Sequence, residues 1–185
     1  FDFSYKVQDE AGGIAQALGL AKEFSAEESI AVILGDNIFE ESFDVSDFKE
    51  GARIFLKEVS DAHRFGVAEL LRDKVIGIEE KPKNPKTNYA VTGLYIYDKK
   101  VFDYIKNLSP SVRGELEITD LQREYLKLKQ LKAEKMGRGF AWLDTGTFDS
   151  MAEATEFVRV IQHRQGDKIS CIEEIAYRMG FINEE

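Results

Sequence analysis

One cysteine, three prolines, two histidines and one tryptophan occur in 185 residues. The single thiol, Cys171, closes no disulfide within the chain, which fits a reducing, cytoplasmic setting. His63 and His163 stand without cysteines or carboxylate clusters at zinc-ligand spacing. No nucleophile turn of the G-x-S-x-G kind occurs, so covalent catalysis has no support. No apolar run approaches the ~20 residues of a membrane-spanning helix, and no secretory leader pattern is visible. Positive charge is scarce as well. Lys and Arg number 25 against 34 Asp and Glu, a formal net charge of -9. That balance argues against nucleic acid or a membrane surface as partner, because phosphate arrays repel it. A small anion is not excluded, since a few local cations, backbone N–H groups or a bridging metal suffice to hold one.

The remainder is a globular composition, 43% apolar and 32% charged. Repeats, low-complexity tracts and linkers are absent, so residues 1–185 read as one domain, closed by a helical segment over 148–185. The chain opens on Phe1 rather than methionine, and a piece of a longer protein is expected.

Periodicity assigns the elements. GGIAQALGLAKEF (12–24) has helical spacing. SIAVIL (29–34) is a short β-branched run, the mark of a buried parallel strand. ARIFLKEV (52–59) alternates. FGVAELL, RDK and VIGIEEK (65–81) read as a hairpin about an Asp-containing turn. NYAVTGLYIYD (88–98) is a long strand, and KKVFDYIKNL (99–108) a helix. Thr119 with Gln122 has a capping-box pattern, as do Ser150 with Glu153 and Ser170 with Glu173. Gly166 and Gly180 are the expected stops of the last two helices. LKAEKMG and FAWLD read as strands flanking a GRG turn. Interleaved strands and helices define an α/β class with a mixed, predominantly parallel sheet. Ligands in such sheets bind beyond the carboxyl ends of strands.

Two aspartates stand at such ends. Asp36 follows SIAVIL, and Asp144 closes WLD. Each is either turn chemistry or a ligand to a divalent cation, and Asp144 is also a candidate N-cap. Mg²⁺ takes one or two carboxylates, with water and substrate phosphates completing the shell. Glu80 and Lys81 lie at a strand rim ahead of Pro82 and point to opposite sides. The lysine suits a phosphate and the glutamate sugar hydroxyls, although edge-strand charge explains both as simply. Arg113 either reaches a phosphate with its fork or pairs with Glu115 or Glu117. Gln8 could read a base edge, with Gly12-Gly13 letting a ligand approach the backbone; a plain helix start is the alternative.

LGDNIF, EEKPKNPKTNYAVTGLYIYD, RGELEITD and GRGFAWLDTGT, in that order, resemble the glucose-1-phosphate thymidylyltransferases. The resemblance covers nearly the whole chain. It implies a Rossmann-like nucleotidyltransferase that joins dTTP to α-D-glucose 1-phosphate, giving dTDP-glucose and pyrophosphate. It implies Mg²⁺ on Asp36 and Asp144, Lys81 and Arg113 on the sugar phosphate, and Glu80 on the glucose hydroxyls. Gly66 and Val91 would line the sugar pocket, Gln8 and Gly13 would meet the thymine, and Trp142 would form a wall. Phe65 stands where the family usually has tyrosine. A homo-oligomer, usually a tetramer, is implied too. The family's glycine-rich G-x-G-T-R loop and its following lysine have no counterpart here, so the chain alone is expected to be inactive or weak. A uridylyltransferase and a non-catalytic sugar-nucleotide-binding module remain open beside the first reading.

Overall fold

The computed structural model describes residues 3–25, 27–40 and 43–183. Phe1 and the closing Glu184–Glu185 lie outside the described residues. The chain divides into two compact units: residues 1–34 with 45–137, and residues 35–44 with 138–185.

In the first unit, helix α1 (Ile14–Leu20) is followed by strand β1 (Ile30–Ile33) and, after the second unit's first segment, by β3 (Ala52–Glu58). Next come a 3-10 turn (Ala62–Arg64), β4 (Gly66–Leu71), β5 (Lys74–Glu80), β6 (Tyr89–Tyr97), α2 (Val101–Ile105), α3 (Ile118–Lys127) and β7 (Leu131–Lys135). The strands form one sheet in the order β5-β4-β6-β3-β7, with β1 also pairing β6. The expected hairpin is β4 and β5, whose register runs from Gly66↔Glu80 to Leu71↔Lys74. That register sets Glu80 directly opposite Gly66 at the sheet's rim.

The sheet is mixed, as expected, but the predominance of parallel pairs is not found. Only β3 and β7 run parallel among the described strands; β1–β6, β3–β6, β4–β5 and β4–β6 are antiparallel. The reason is connection length. The two-residue turn between β4 and β5 admits only an antiparallel return, whereas parallel neighbours need a long crossover. SIAVIL is corrected in the same way. As β1 it runs antiparallel to β6, and it alternates between half-buried and exposed, with Ile33 63% exposed. A β-branched run reports strand propensity, not the number of neighbours the strand acquires.

The core lies between this sheet and α1, α2 and α3. Ile54, Leu56, Ala68, Tyr97, Val101, Leu121 and Tyr125 are all essentially inaccessible. Asp98 is among the charged groups buried in this unit. Asp98, 5% exposed, accepts hydrogen bonds from the Gly51 amide (2.9 Å), the Lys100 amide (3.1 Å) and the Tyr125 hydroxyl (2.9 Å). Burial, then the Asp98 partnership, pushes the Tyr125 hydroxyl far above the ordinary tyrosine range.

The second unit pairs β2 (Asn37–Phe39) with β8 (Trp142–Asp144) in an antiparallel ribbon. LKAEKMG and FAWLD supply strands on either side of the GRG turn, as expected, and the two strands belong to different sheets. Phe39, Phe43 and Phe140 pack edge to face or tilted on one another, with centroids 5.2–6.5 Å apart. Helices α4 (Phe148–Gln165) and α5 (Ile172–Arg178) complete it, and Gly166 (φ 80°) and Gly180 (φ 73°) follow them in the left-handed region. No helix among the described residues is long and apolar enough to cross a membrane.

The three expected N-caps shift. Helix α3 is capped by Glu117, without a side-chain bond, while Thr119 and Gln122 are buried inside it. Thr147, not Ser150, caps α4; the two make a reciprocal box, with Ser150 at its third position. Cys171, not Ser170, precedes α5.

Candidate functional site

The second unit brings Asp36, Asp144 and Trp142 together. The register sets Asn37 opposite Asp144 and Phe39 opposite Trp142. The Thr145 amide donates to the Asp36 carbonyl at 2.8 Å, closing the ribbon just beyond both aspartates. The Asn37 side chain ties them further. Its amide donates to Asp36 Oδ1 (2.7 Å), and its Oδ1 accepts from Trp142 Nε1 (2.7 Å). Asp144 Oδ2 takes the Gly146 amide (3.2 Å) and lies 3.3 Å from the Ser150 hydroxyl.

Gly146 reveals how the carboxylates are aimed. A Cβ placed there would lie 3.4 Å from Asp144 Oδ2 and 3.6 Å from Asp36 Oδ2. Both oxygens converge on space that a side chain would fill. Two hard oxygen donors around such a gap fit Mg²⁺, which accepts two protein carboxylates and takes its other ligands from water and phosphate. No group of three or more His, Cys, Asp or Glu at metal spacing occurs among the described residues. Sequence reasoning read Asp36 and Asp144 but missed Asn37 and Ser150. Ser150 was visible only as a capping residue, because its approach to Asp144 depends on the turn at 145–147.

The first unit collects the other seven candidates. At Gly66 a Cβ would meet the Thr119 methyl at 2.7 Å, Glu80 Oε2 at 3.5 Å and Val91 Cβ at 3.8 Å. Gly66, Glu80 and Val91 therefore share one corner, floored by Thr119. Burial raises the Glu80 carboxyl above its usual range. The nearby Thr119 hydroxyl, Lys81 and Arg113 oppose that rise, and Glu117 adds to it. The Thr119 hydroxyl stands beside Glu80 without completing a hydrogen bond to it.

Arg113 lies among carboxylates. Its Nη2 is 3.0 Å from both oxygens of Glu115, and its Nη1 lies 3.7 Å from Glu80 and 3.6 Å from Glu117. The pairing with Glu115 and Glu117, one of the two readings of this residue, is present. Lys81 follows the β5 rim at φ 41°, its amide bonded to the Phe65 carbonyl at 3.0 Å. Its ammonium is exposed and makes no ion pair among the described residues. The Arg64 guanidinium lies over the Phe65 ring, 5.0 Å from its centroid.

Gln8 and Gly13 join this corner through the backbone. Gln8 Nε2 donates to the Gly13 carbonyl (3.2 Å) and to Gln16 Oε1 (2.6 Å). The Leu116 amide donates to the Gly12 carbonyl, and the Ala15 amide to the Leu116 carbonyl. Only glycine fits at 13: φ is 97°, and a Cβ would lie 2.5 Å from the Leu116 oxygen. Leu116 is followed by Glu117, so the start of α1 is laced to the residue that faces Arg113. Glu115, Glu117 and Thr119 were not singled out from the sequence. RGELEITD marked them only as neighbours of Arg113.

The first unit carries a cation-and-carboxylate corner and the second carries two convergent aspartates, side-chain chemistry suited to binding phosphates and a divalent cation. The chain belongs to the nucleotidyl transferase family, whose model matches residues 1–160. Within that family it is similar to proteins named glucose-1-phosphate thymidylyltransferase. The Xanthomonas campestris pv. campestris (strain B100) relative is 48% identical over 191 residues, covering 100% of this chain and 65% of the relative. The Neisseria meningitidis serogroup A relative is 44% identical over 189 residues, 98% of this chain and 66% of the relative. The chain thus spans about two thirds of the length of these relatives. A solved Bacillus anthracis structure, described as a candidate glucose-1-phosphate thymidylyltransferase in complex with a sucrose, shares 52% identity. Its TM-score is 0.76, over 85% of this chain and 65% of that one. A UDP-glucose pyrophosphorylase complexed with UDP-glucose shares the fold at TM-score 0.74 and 24% identity, over 84% of this chain and 65% of that one.

Proposed function

We propose that this chain is the sugar-phosphate-binding and metal-binding portion of a glucose-1-phosphate thymidylyltransferase, which joins dTTP and α-D-glucose 1-phosphate to give dTDP-glucose and pyrophosphate. One observation carries the reading. Relatives of that name align at 44–48% identity across 98–100% of the chain.

In this reading an oxygen of the sugar phosphate attacks the α-phosphorus of dTTP in line, and pyrophosphate leaves. Both reactants are anions, so the protein's task is positioning and neutralisation rather than nucleophilic attack. Glu80 accepts hydrogen bonds from sugar hydroxyls at the Gly66–Val91 corner, where the missing side chain at 66 leaves room for the ring. Lys81 supplies an exposed ammonium to the phosphate, and Arg113 a guanidinium. Gln8 offers its amide oxygen to the thymine edge and Gly13 packs beneath it; Trp142, in the second unit, is a candidate wall residue. Asp36 and Asp144 would hold Mg²⁺, which when bound offsets charge on the triphosphate. Asn37 and Ser150 keep the two carboxylates aimed. The protein acts as a homo-oligomer in the cytoplasm, without nucleic acid or membrane.

The test is Mg²⁺-dependent pyrophosphate release from dTTP plus glucose 1-phosphate, by this chain and by its reading frame extended upstream to a methionine. Turnover in the extended protein, faster with dTTP than with UTP, is the expected result. A preference for UTP would move the assignment to a uridylyltransferase. Sugar-nucleotide binding without turnover would make the protein a binding module. Asp144→Asn in the active form is expected to abolish turnover while leaving the circular-dichroism spectrum and Tm close to wild type. Near-wild-type turnover would remove Asp144 from the metal site.

A further inference from the structure

We propose that Glu115 is an internal competitor of the sugar phosphate: its carboxylate takes the Arg113 nitrogen that the phosphate would bind, and so sets affinity for that substrate. The proposal rests on the reading of Arg113 as a phosphate contact.

Both terminal nitrogens of Arg113 already face carboxylate oxygens. Nη2 is shared by the two oxygens of Glu115 at 3.0 Å, and Nη1 lies between Glu80 and Glu117 at 3.7 and 3.6 Å. A phosphate offers the same kind of anionic acceptor at the same N–O distances. It cannot take the guanidinium without displacing a carboxylate.

Burial decides which one yields. The Glu117 side chain is 9% exposed, Glu80 19% and Glu115 32%. Glu117 is also anchored by the Ser111 hydroxyl at 2.8 Å. Stripping Arg113 from Glu80 or Glu117 would strand a buried charge, whereas Glu115 is the carboxylate that water re-solvates most readily. The backbone allows the exchange. Ser111 N bonds to Glu115 O (2.8 Å), Gly114 N to Ser111 O (2.9 Å), and Arg113 N to the Ser111 hydroxyl (3.1 Å). None of these bonds involves the side chains that must part, so phosphate for carboxylate is a rotamer exchange within a fixed loop. Glu115 thus acts through Arg113 as a positioning residue and touches no substrate.

The test is calorimetric titration of glucose 1-phosphate into the full reading-frame protein as wild type, Glu115→Gln, Glu115→Asp, Arg113→Met and the Arg113→Met/Glu115→Gln double variant. Glu115→Gln is expected to bind about two- to fivefold tighter, the range of a part-exposed ion pair. Glu115→Asp is expected to tighten binding too, since it keeps the charge but shortens the reach. In the Arg113→Met background the Gln substitution should have no effect. In turnover, KM for the sugar phosphate falls with Glu115→Gln, and kcat does not rise. Unchanged or weaker binding by Glu115→Gln overturns the proposal. So does wild-type behaviour of Glu115→Asp, or tightening that persists without Arg113, because either points to charge alone. If wild type itself fails to bind glucose 1-phosphate, the functional reading falls and this proposal with it. If wild type binds and Glu115→Gln does not tighten, only this proposal falls.

Discussion

At the scale of single residues, Glu80 carries a conflict between burial and charge. Its carboxyl is raised chiefly by burial, so the folded protein binds a proton more tightly there than the unfolded chain, whose ordinary value is 4.5. Linkage then gives the sign: stability falls as pH climbs from about 4.5 through the raised value, and is level above it. Glu80→Gln, neutral throughout, lacks this fall. Its stability relative to wild type should rise over that window and then plateau, as read from urea midpoints across a pH series; parallel curves would contradict it. Gly146 offers a second test. Its backbone needs no special φ, so Gly146→Ala should fold normally while its methyl occupies the space that both aspartate oxygens face. Mg²⁺ affinity should drop about tenfold, measured by titration, as for other changes just outside a ligand shell. The individual candidates were legible in the sequence because strand-end aspartates, a rim lysine and a pre-helix arginine occupy recognisable local patterns. What surrounds them was not. The ring of Glu80, Glu115 and Glu117 about Arg113 joins residue 80 to residues 113–117, and no local pattern encodes that approach.

At the scale of elements, alternation served the hairpin well: β4 and β5 fall within a residue of the expected bounds, and their turn is local. The helix starts were less legible. Thr119 and Gln122 have capping chemistry and spacing, yet both face the core, with their side-chain polar atoms unpartnered by protein. Tertiary burial overrode a local preference, and the helix begins at Glu117 instead. Helix α4 keeps a true box at Thr147, whose hydroxyl accepts from the Ser150 amide at 3.1 Å. Thr147→Ala should cost about 1 kcal/mol in urea unfolding. Because Ser150 also reaches Asp144, the same change should weaken Mg²⁺ binding, whereas substitutions late in α4 should leave the metal unaffected.

At the scale of the molecule, the first unit is tied together by Asp98, which joins the Gly51 turn before β3, the start of α2 and the last turn of α3. Tyr125→Phe removes one of its three donors from a buried carboxylate and should lower unfolding free energy by about 1.5–3 kcal/mol. A two-state denaturant titration of the folded chain would check this. The sheet order carries a consequence for synthesis. Strand β6 pairs with β1, β3 and β4, and all three precede it in the chain. A ribosome making this protein therefore releases three unpaired edges before the strand that satisfies them. Only when Tyr89–Tyr97 clears the exit tunnel can that part of the nascent sheet close, which makes the interval before it the period of greatest dependence on chaperones.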